Sequence, residues 1–324
     1  MTLGTWTQSL SYIGLATLAY ITLKFTRQAT TFLLPTTLTK RYNNNADQPN
    51  WALVTGATDG IGLGFSQELC ARGFNVILHG RNRAKLEQRQ RELRAEFPER
   101  ATAIIVCDVQ EISATKIDNI ANEVQTHLRT HDGSPSGSLT VLVNNVGGET
   151  RPSTLLTEYS FFDVEATIHR NLVFTTHITR VLLPLLHSGG RPGLVLNVSS
   201  IAAVGMPYIT VYSGSKGFVD SFTRSLRAEV SAEGLPVEVM ALRVGEVRTA
   251  GYDIAPSLFV PTGRTLAAAG LNRVGSGQDL VWGYFWHWVQ GVSFDVLPRW
   301  MLMTIAEYKL KALRKGMQEK AKKT

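Results

Sequence analysis

Thr55-Gly-Ala-Thr-Asp-Gly-Ile-Gly62 is the stretch on which the fold turns. It closes a short apolar run, Trp51–Thr55, and opens a helical pattern over Gly60–Arg72. Gly56, Gly60 and Gly62 let the backbone turn tightly and approach a pyrophosphate, which then meets the positive end of the helix. Thr58, Asp59 and Ile61 fill the turn and join the residues expected against a dinucleotide. A glycine turn by itself also serves as an ordinary strand-to-helix connection. Here the spacing is Gly-x-x-x-Gly-x-Gly, with a strand before it and a helix after it.

Outward from this turn the chain alternates. Strands are predicted at Phe74–His79, Thr102–Val106, Leu139–Val143, Gly193–Val198 and Val237–Val244. Helices are predicted at Ala84–Phe97, Ser113–Thr130, around Tyr159–His187 and at Tyr212–Ala232. Short apolar strands alternating with helices predict an α/β fold with a doubly wound parallel sheet. Beyond residue 250 the rhythm stops, and the aromatic stretch Val281-Trp-Gly-Tyr-Phe-Trp-His-Trp288 reads as an extension of the same domain.

The second strand runs into His79-Gly-Arg-Asn-Arg83. An NAD site usually carries an acid there for the ribose hydroxyls. This chain has Arg81 instead, with Arg83 nearby, which suits a 2′-phosphate and makes NADPH/NADP+ the expected cofactor. After the third strand, Asp108 is placed for the adenine amine, with Val109 beside it. After the fourth, Asn144 is placed to tie neighbouring strands, while Asn145 and Gly147 lie along the cofactor.

Tyr212 and Lys216 stand four residues apart at the start of a predicted helix, hence on one face. A free tyrosine has a pKa near 10, and a neighbouring ammonium lowers it by stabilising the phenolate. Tyr-x-x-x-Lys is common by chance. What lends it weight is its position after the fifth strand and its end, Asn197-Val-Ser-Ser200.

Together, Thr55–Gly62, Asn144–Gly147, Ser199/Ser200 and Tyr212/Lys216 resemble the short-chain dehydrogenase/reductase family over about residues 50–250. The resemblance implies a Rossmann-like fold of about seven strands and a tetrad of Asn, Ser, Tyr and Lys. Its asparagine matches Asn171. Tyr212 would then protonate a carbonyl oxygen, and a serine would steady the developing charge. Lys216 would hold the nicotinamide ribose, and Asn171 would position a water. Both Ser199 and Ser200 are candidates, with Ser200 favoured by the strand-end alignment. Val247 and Thr249 would meet the carboxamide, although Val244-Gly-Glu-Val-Arg-Thr249 lacks the family's proline and carries Glu246, for which no role is apparent. No metal site is expected.

The net charge is +7. From Glu307 onward seven basic side chains face two acidic ones, so the tail carries +5 and the body is nearly neutral. That distribution argues against a nucleic-acid partner and fits an anionic membrane surface. Leu3 to Leu23 has no charge and spans 21 residues, enough to cross a bilayer core of about 30 Å. Thr5, Thr7, Gln8, Ser9, Ser11, Thr17 and Thr22 dilute it, so a membrane-anchor helix is expected, with a helix lying on the surface as the rival. Lys24, Arg27, Lys40 and Arg41 follow, placing the catalytic domain toward the cytosol. Cys70 and Cys107 are expected to be reduced.

The expected layout is residues 1–40 as anchor and juxtamembrane segment, 41–50 as linker and 51–250 as catalytic domain, followed by 251–308 as substrate-side extension and 309–324 as basic tail. Ala57–Gly62, Leu142–Gly147, Tyr212–Asp220 and Leu297-Pro-Arg-Trp300 are similar to the very-long-chain 3-oxoacyl-CoA reductase/17β-hydroxysteroid dehydrogenase branch. That resemblance implies a lipid-like substrate at the endoplasmic reticulum membrane, and Lys320-Ala-Lys-Lys-Thr324 resembles a retrieval signal for that compartment. Trp282, Phe285, Trp286 and Trp288 would line a lipid-facing mouth or pack in the core. Three readings stay open: a 3-oxoacyl-CoA reductase, a ketoreductase of specialised metabolism acting on a polyketide, terpenoid or steroid, and a non-catalytic membrane scaffold. A homo-oligomer is compatible with each.

Overall fold

The computed structural model describes residues 3–43, 48–129, 137–151, 153–252 and 254–321. Two helices come first, α1 (Leu3–Thr30) and α2 (Leu38–Tyr42). The alternating body follows as β1 (Asn50–Thr55), α3 (Gly60–Ala71), β2 (Asn75–Gly80), α4 (Arg83–Glu96), β3 (Thr102–Val106), α5 (Ala114–His127) and β4 (Ser138–Asn144). It continues through α6 (Phe161–Ile168), α7 (Phe174–Leu186), β5 (Gly193–Val198), α8 (Thr210–Ala232) and β6 (Val237–Arg243). The chain ends in α9 (Gly263–Leu271), β7 (Leu280–Trp282), α10 (Phe285–Val296) and α11 (Arg299–Ala321).

All pairings are parallel, in the order β3-β2-β1-β4-β5-β6-β7. Helices cover both faces, which is why the strands read as near-continuous apolar runs. Along β1, Ala52 and Val54 pack on one face with Leu78, Val143, Leu196 and the α3/α9 side. Trp51 and Leu53 pack on the other with Ile77, Leu142 and Val195. The strand order reverses between β1 and β4, so the crevice beyond their carboxyl ends is the binding position in a sheet of this kind.

Two sequence expectations change here. The sheet gains its seventh strand from Leu280–Trp282, inside the segment read as an aromatic extension. The long helix read around Tyr159–His187 is broken: α6 ends at Ile168, His169–Val173 forms a π turn, and α7 follows.

The membrane-spanning segment is also corrected. Leu3–Thr30 is helical, but among the described residues no helix is long and apolar enough to cross a membrane. Hydroxyl side chains interrupt the apolar surface and bond back to the helix, Ser11 to the Thr7 carbonyl at 3.0 Å and Thr17 to that of Ile13 at 2.8 Å. The end of α1 docks on the body. Trp288 Nε1 donates to Gln28 Oε1 at 2.9 Å, and Phe32 packs against Phe285 and Trp288. Trp282 is buried in β7 and Trp286 meets Phe259 edge-on, so these two rings pack on protein, whereas Phe285 keeps an exposed face. Lys322, Lys323 and Thr324 of the retrieval-like ending lie outside the described residues.

His79 lies one residue before the end of β2 and is stacked on Phe174 at 4.9 Å, with neither ring nitrogen hydrogen-bonded. Burial pushes its pKa down to about 4, opposed by Asp108. The unfolded chain therefore binds a proton below about pH 6.5 that the native protein refuses down to about 4. Stability is expected to fall by roughly 3 kcal/mol as pH drops through that window. Urea midpoints of wild type and His79→Phe, compared at pH 7 and 4.5, check this: the variant should lose part of the acid slope, and equal slopes would refute it.

Candidate active site

The site is assembled at the carboxyl ends of β1 to β6. The turn after β1 is built for close approach. Gly56 and Gly60 take φ of 66° and 54°, and a Cβ on Gly62 would lie 2.1 Å from the Gly56 carbonyl oxygen. No side chain caps the start of α3, because Asp59 Oδ2 instead accepts from Ala250 N at 2.8 Å. The first-turn N–H groups thus keep their capacity for an anion. Thr58 O is held by Arg89 Nε at 3.0 Å, Ile61 packs into the core, and Thr249 leans on Gly60. These features fit a dinucleotide pyrophosphate.

Arg81 is exposed just beyond β2. Arg170, from the π turn, has its guanidinium held below the usual range by burial and by Arg81. Two cations near each other on this side of the crevice fit a phosphate better than a bare ribose. Asp108 accepts from Gln110 N at 3.0 Å, and Val109 is buried next to it. Asn145 spans β1 and β4, taking Thr55 Oγ1 at its N–H (2.9 Å) and giving its amide to the Thr55 carbonyl (2.9 Å). Asn144 ties the strands as expected, its amide donating to Asn197 Oδ1 and Thr179 Oγ1, each at 2.8 Å.

Tyr212 and Lys216 share one face of α8, the ammonium 5.8 Å from the tyrosine ring centre. Lys216 Nζ donates to the Val198 carbonyl at 2.7 Å. Burial pulls its pKa down to about 8, opposed by Asp220. The anticipated lowering of the tyrosine does not occur in this state. Burial raises Tyr212 above its ordinary value, the Ser200 hydroxyl opposes that by hydrogen bonding, and the charge of Glu149 adds to it. Ser199 does not reach the tyrosine: its hydroxyl donates to Asp220 Oδ1 at 2.6 Å and it is fully buried. Ser200 is the serine beside Tyr212. Asn171 clamps Gly148 through both ends of its amide, at 2.9 and 3.0 Å. A Cβ on Gly147 would lie 2.8 Å from Asn171 Oδ1 and 3.1 Å from Lys216 Nζ, so this glycine lets the asparagine and the lysine converge. Val247 is buried in the core below Thr249.

The loops around this crevice are tied to α11. Lys309 pairs with Glu246, the charge without an apparent role in the sequence, and Arg314 pairs with Glu158. Arg314 also lies over the Tyr208 ring, and Arg299 donates to the Val204 carbonyl at 3.3 Å.

Residues 50–253 match the short chain dehydrogenase family. The chain belongs to that family. This dehydrogenase is therefore an oxidoreductase, and its similarities lie in the branch read from the sequence. A very-long-chain 3-oxoacyl-CoA reductase of Mus musculus is 30% identical over 281 residues, covering 84% of this chain and 83% of the relative. A very-long-chain 3-oxoacyl-CoA reductase-like protein of Arabidopsis thaliana is 33% identical, covering 84% and 85%. The fold is shared with a short chain dehydrogenase of Escherichia coli CFT073 solved with NADPH, at TM-score 0.63 and 21% identity over 74% of this chain and 98% of that one.

Sequence reasoning did not single out Arg170, Glu149, Asp220 or Arg243 of the dehydrogenase. Glu149 is partly buried beside Tyr212, its carboxyl pushed up by burial. Only Asp220 carried a signal, one further turn along the face that bears Tyr212 and Lys216.

Proposed function

We propose that this dehydrogenase uses NADPH to reduce the ketone of a 3-oxoacyl-CoA to the 3-hydroxyacyl-CoA. The observation that carries the reading is the convergence of Ser200, Tyr212, Lys216 and Asn171 beside an anion-ready glycine turn. The names of the relatives supply the substrate class. Gly56, Thr58, Asp59, Gly60, Ile61 and Gly62 would hold the pyrophosphate side, Arg81 the 2′-phosphate, Asp108 and Val109 the adenine. Asn145, Gly147, Val247 and Thr249 would border the nicotinamide half.

When bound, the nicotinamide supplies a hydride to the carbonyl carbon. Tyr212, kept protonated by its burial, gives its proton to the carbonyl oxygen as negative charge develops there. Ser200 donates a hydrogen bond to the same oxygen. Lys216 would hold the ribose and stabilise the phenolate left behind, and Asn171, fastened to Gly148, would border the water path that returns a proton to the pair.

In this reading residues 51–250 are the catalytic domain, with 251–308 on the substrate side and 309–324 as a basic tail; the expected 41–50 linker is shortened, because Arg41 and Tyr42 close α2 and Asn50 opens β1. The enzyme would sit on the cytosolic face of the endoplasmic reticulum membrane. Leu10, Ile13, Leu15 and Leu18 of α1 are exposed, an apolar surface suited to lying at a lipid interface.

A second reading, a ketoreductase of specialised metabolism, is favoured by Glu149 and Glu246, charges beside the site that a plain acyl chain does not call for. Purified enzyme supplied with NADPH and either a long 3-oxoacyl-CoA or polycyclic ketones separates the two. Turnover of the thioester is the expected result, and turnover of the polycyclic ketones alone would overturn it.

A further inference from the structure

The end of β5 meets α8 through three consecutive residues. The Val198 carbonyl takes Lys216 Nζ at 2.7 Å, the Ser199 hydroxyl goes to Asp220 Oδ1 at 2.6 Å, and the Ser200 hydroxyl goes to Tyr212. Their partners are residues 212, 216 and 220, one turn apart on one face of the helix. On its other side the same turn is pinned to β6 by backbone, Ser199 N to the Leu242 carbonyl and Ile201 N to that of Val244, both at 2.9 Å. Asp220 is 5% exposed, and its second oxygen is gripped by Arg243 of β6 through Nε at 3.0 Å and Nη2 at 2.7 Å. Proton donor, ammonium and carboxylate therefore form one ladder, and the last rung is braced by a guanidinium from the next strand.

We propose that Asp220 and Arg243 are positioning residues of this reaction: they hold the Val198–Ser200 turn against α8 and set how firmly Lys216 keeps its proton. The inference rests on the reading of Tyr212 and Lys216 as the reacting pair. Among the described residues, Lys216 faces Tyr212 and Asp220 on its own helix, while Glu149 from the loop after β4 acts on Tyr212 and Arg243 from β6 reaches the lysine only through Asp220. Asp220 is the charge that acts on the ammonium most directly, favouring its protonated form. Arg243 neutralises part of that effect, because a carboxylate shared with a fork of two N–H groups presents less charge to a third partner. The two residues thus pull Lys216 in opposite directions while serving the same scaffold.

That opposition is the test. Asp220→Asn keeps the shape and an acceptor for Ser199 but removes the charge, and should move the alkaline limb of kcat/KM to lower pH by about 0.5–1 unit. Arg243→Leu leaves the carboxylate uncompensated and should move the limb upward, while Arg243→Lys should restore it. A merely structural role would lower kcat in both variants without opposite displacements. Limbs that stay in place, or move the same way, overturn the inference. If Asp220→Asn does not fold, as judged by its melting curve, the Arg243 pair decides: an upward limb in Arg243→Leu that Arg243→Lys restores supports the inference, and a limb that stays in place or moves down overturns it. The pH dependence of NADPH binding is recorded in parallel, since it reads Lys216 without a substrate. Loss of activity in Tyr212→Phe tests the underlying reading separately.

Discussion

Tyr212→Phe is expected to lower kcat for ketone reduction by about 10²–10⁴-fold, the usual contribution of a positioned general acid. The substitution removes one oxygen and keeps the ring, so the fold and NADPH affinity should be preserved. The loss should be larger than for Ser200→Ala, which removes a helper of the same oxygen. It should also differ in kind from Ser199→Ala, whose hydroxyl is committed to Asp220 and never faces the tyrosine. Single-turnover rates with saturating NADPH would measure all three. A Tyr212→Phe enzyme retaining most of its rate, or a Ser199→Ala loss greater than that of Ser200→Ala, would overturn the assignment. In reduction Tyr212 must start protonated, and burial secures this at neutral pH. Lys216, at about 8, loses its charge first on the alkaline side, so the rate should fall as pH rises through that region.

Arg81→Asp should reverse the coenzyme preference. In the proposed reading the arginine follows the second strand at the place expected for the adenosine ribose, and its charge acts on Arg170. Removing a charge-assisted contact to a 2′-phosphate costs about 1.5–3 kcal/mol, or roughly 10–150-fold in affinity, and the new carboxylate repels the phosphate besides. The same carboxylate can accept from both ribose hydroxyls of NADH. The ratio of kcat/KM for NADPH over NADH is therefore expected to fall by at least about 10²-fold. An unchanged ratio would show that Arg81 is only a surface charge.

Much of the sheet and of the cofactor turn was legible because each strand is a local apolar run and each turn residue sits in a fixed order. Gly56, Gly60 and Gly62 announce themselves by backbone demands that few other residues meet. What stayed hidden depends on contacts between distant parts of the chain. β7 is three residues long and lies in an aromatic stretch, so no periodicity marks it. The π turn at His169–Val173 leaves a continuous helical pattern around Asn171 and is visible only in the backbone. The choice between Ser199 and Ser200 could not be made by counting residues to Tyr212. What favours Ser200 is a tertiary contact, Asp220 drawing the Ser199 hydroxyl away. The membrane-spanning reading of the first helix relied on length and absent charge, and its hydroxyl content weighed more.

The pairing of α11 with three separate loops has a kinetic meaning. Glu158, Val204 and Glu246 belong to loops after β4, β5 and β6, and each is fastened to this one helix. Loops that would otherwise fluctuate independently are coupled into a single crossbar, so opening any of them for substrate or product must displace the helix and loosen the rest. Because two of the fastenings are ion pairs, and the Lys309–Glu246 pair is solvent-exposed, that shared motion should grow easier as ionic strength rises. Substrate exchange measured at low and high salt would then report on residues in α11, far along the chain from the glycine turn.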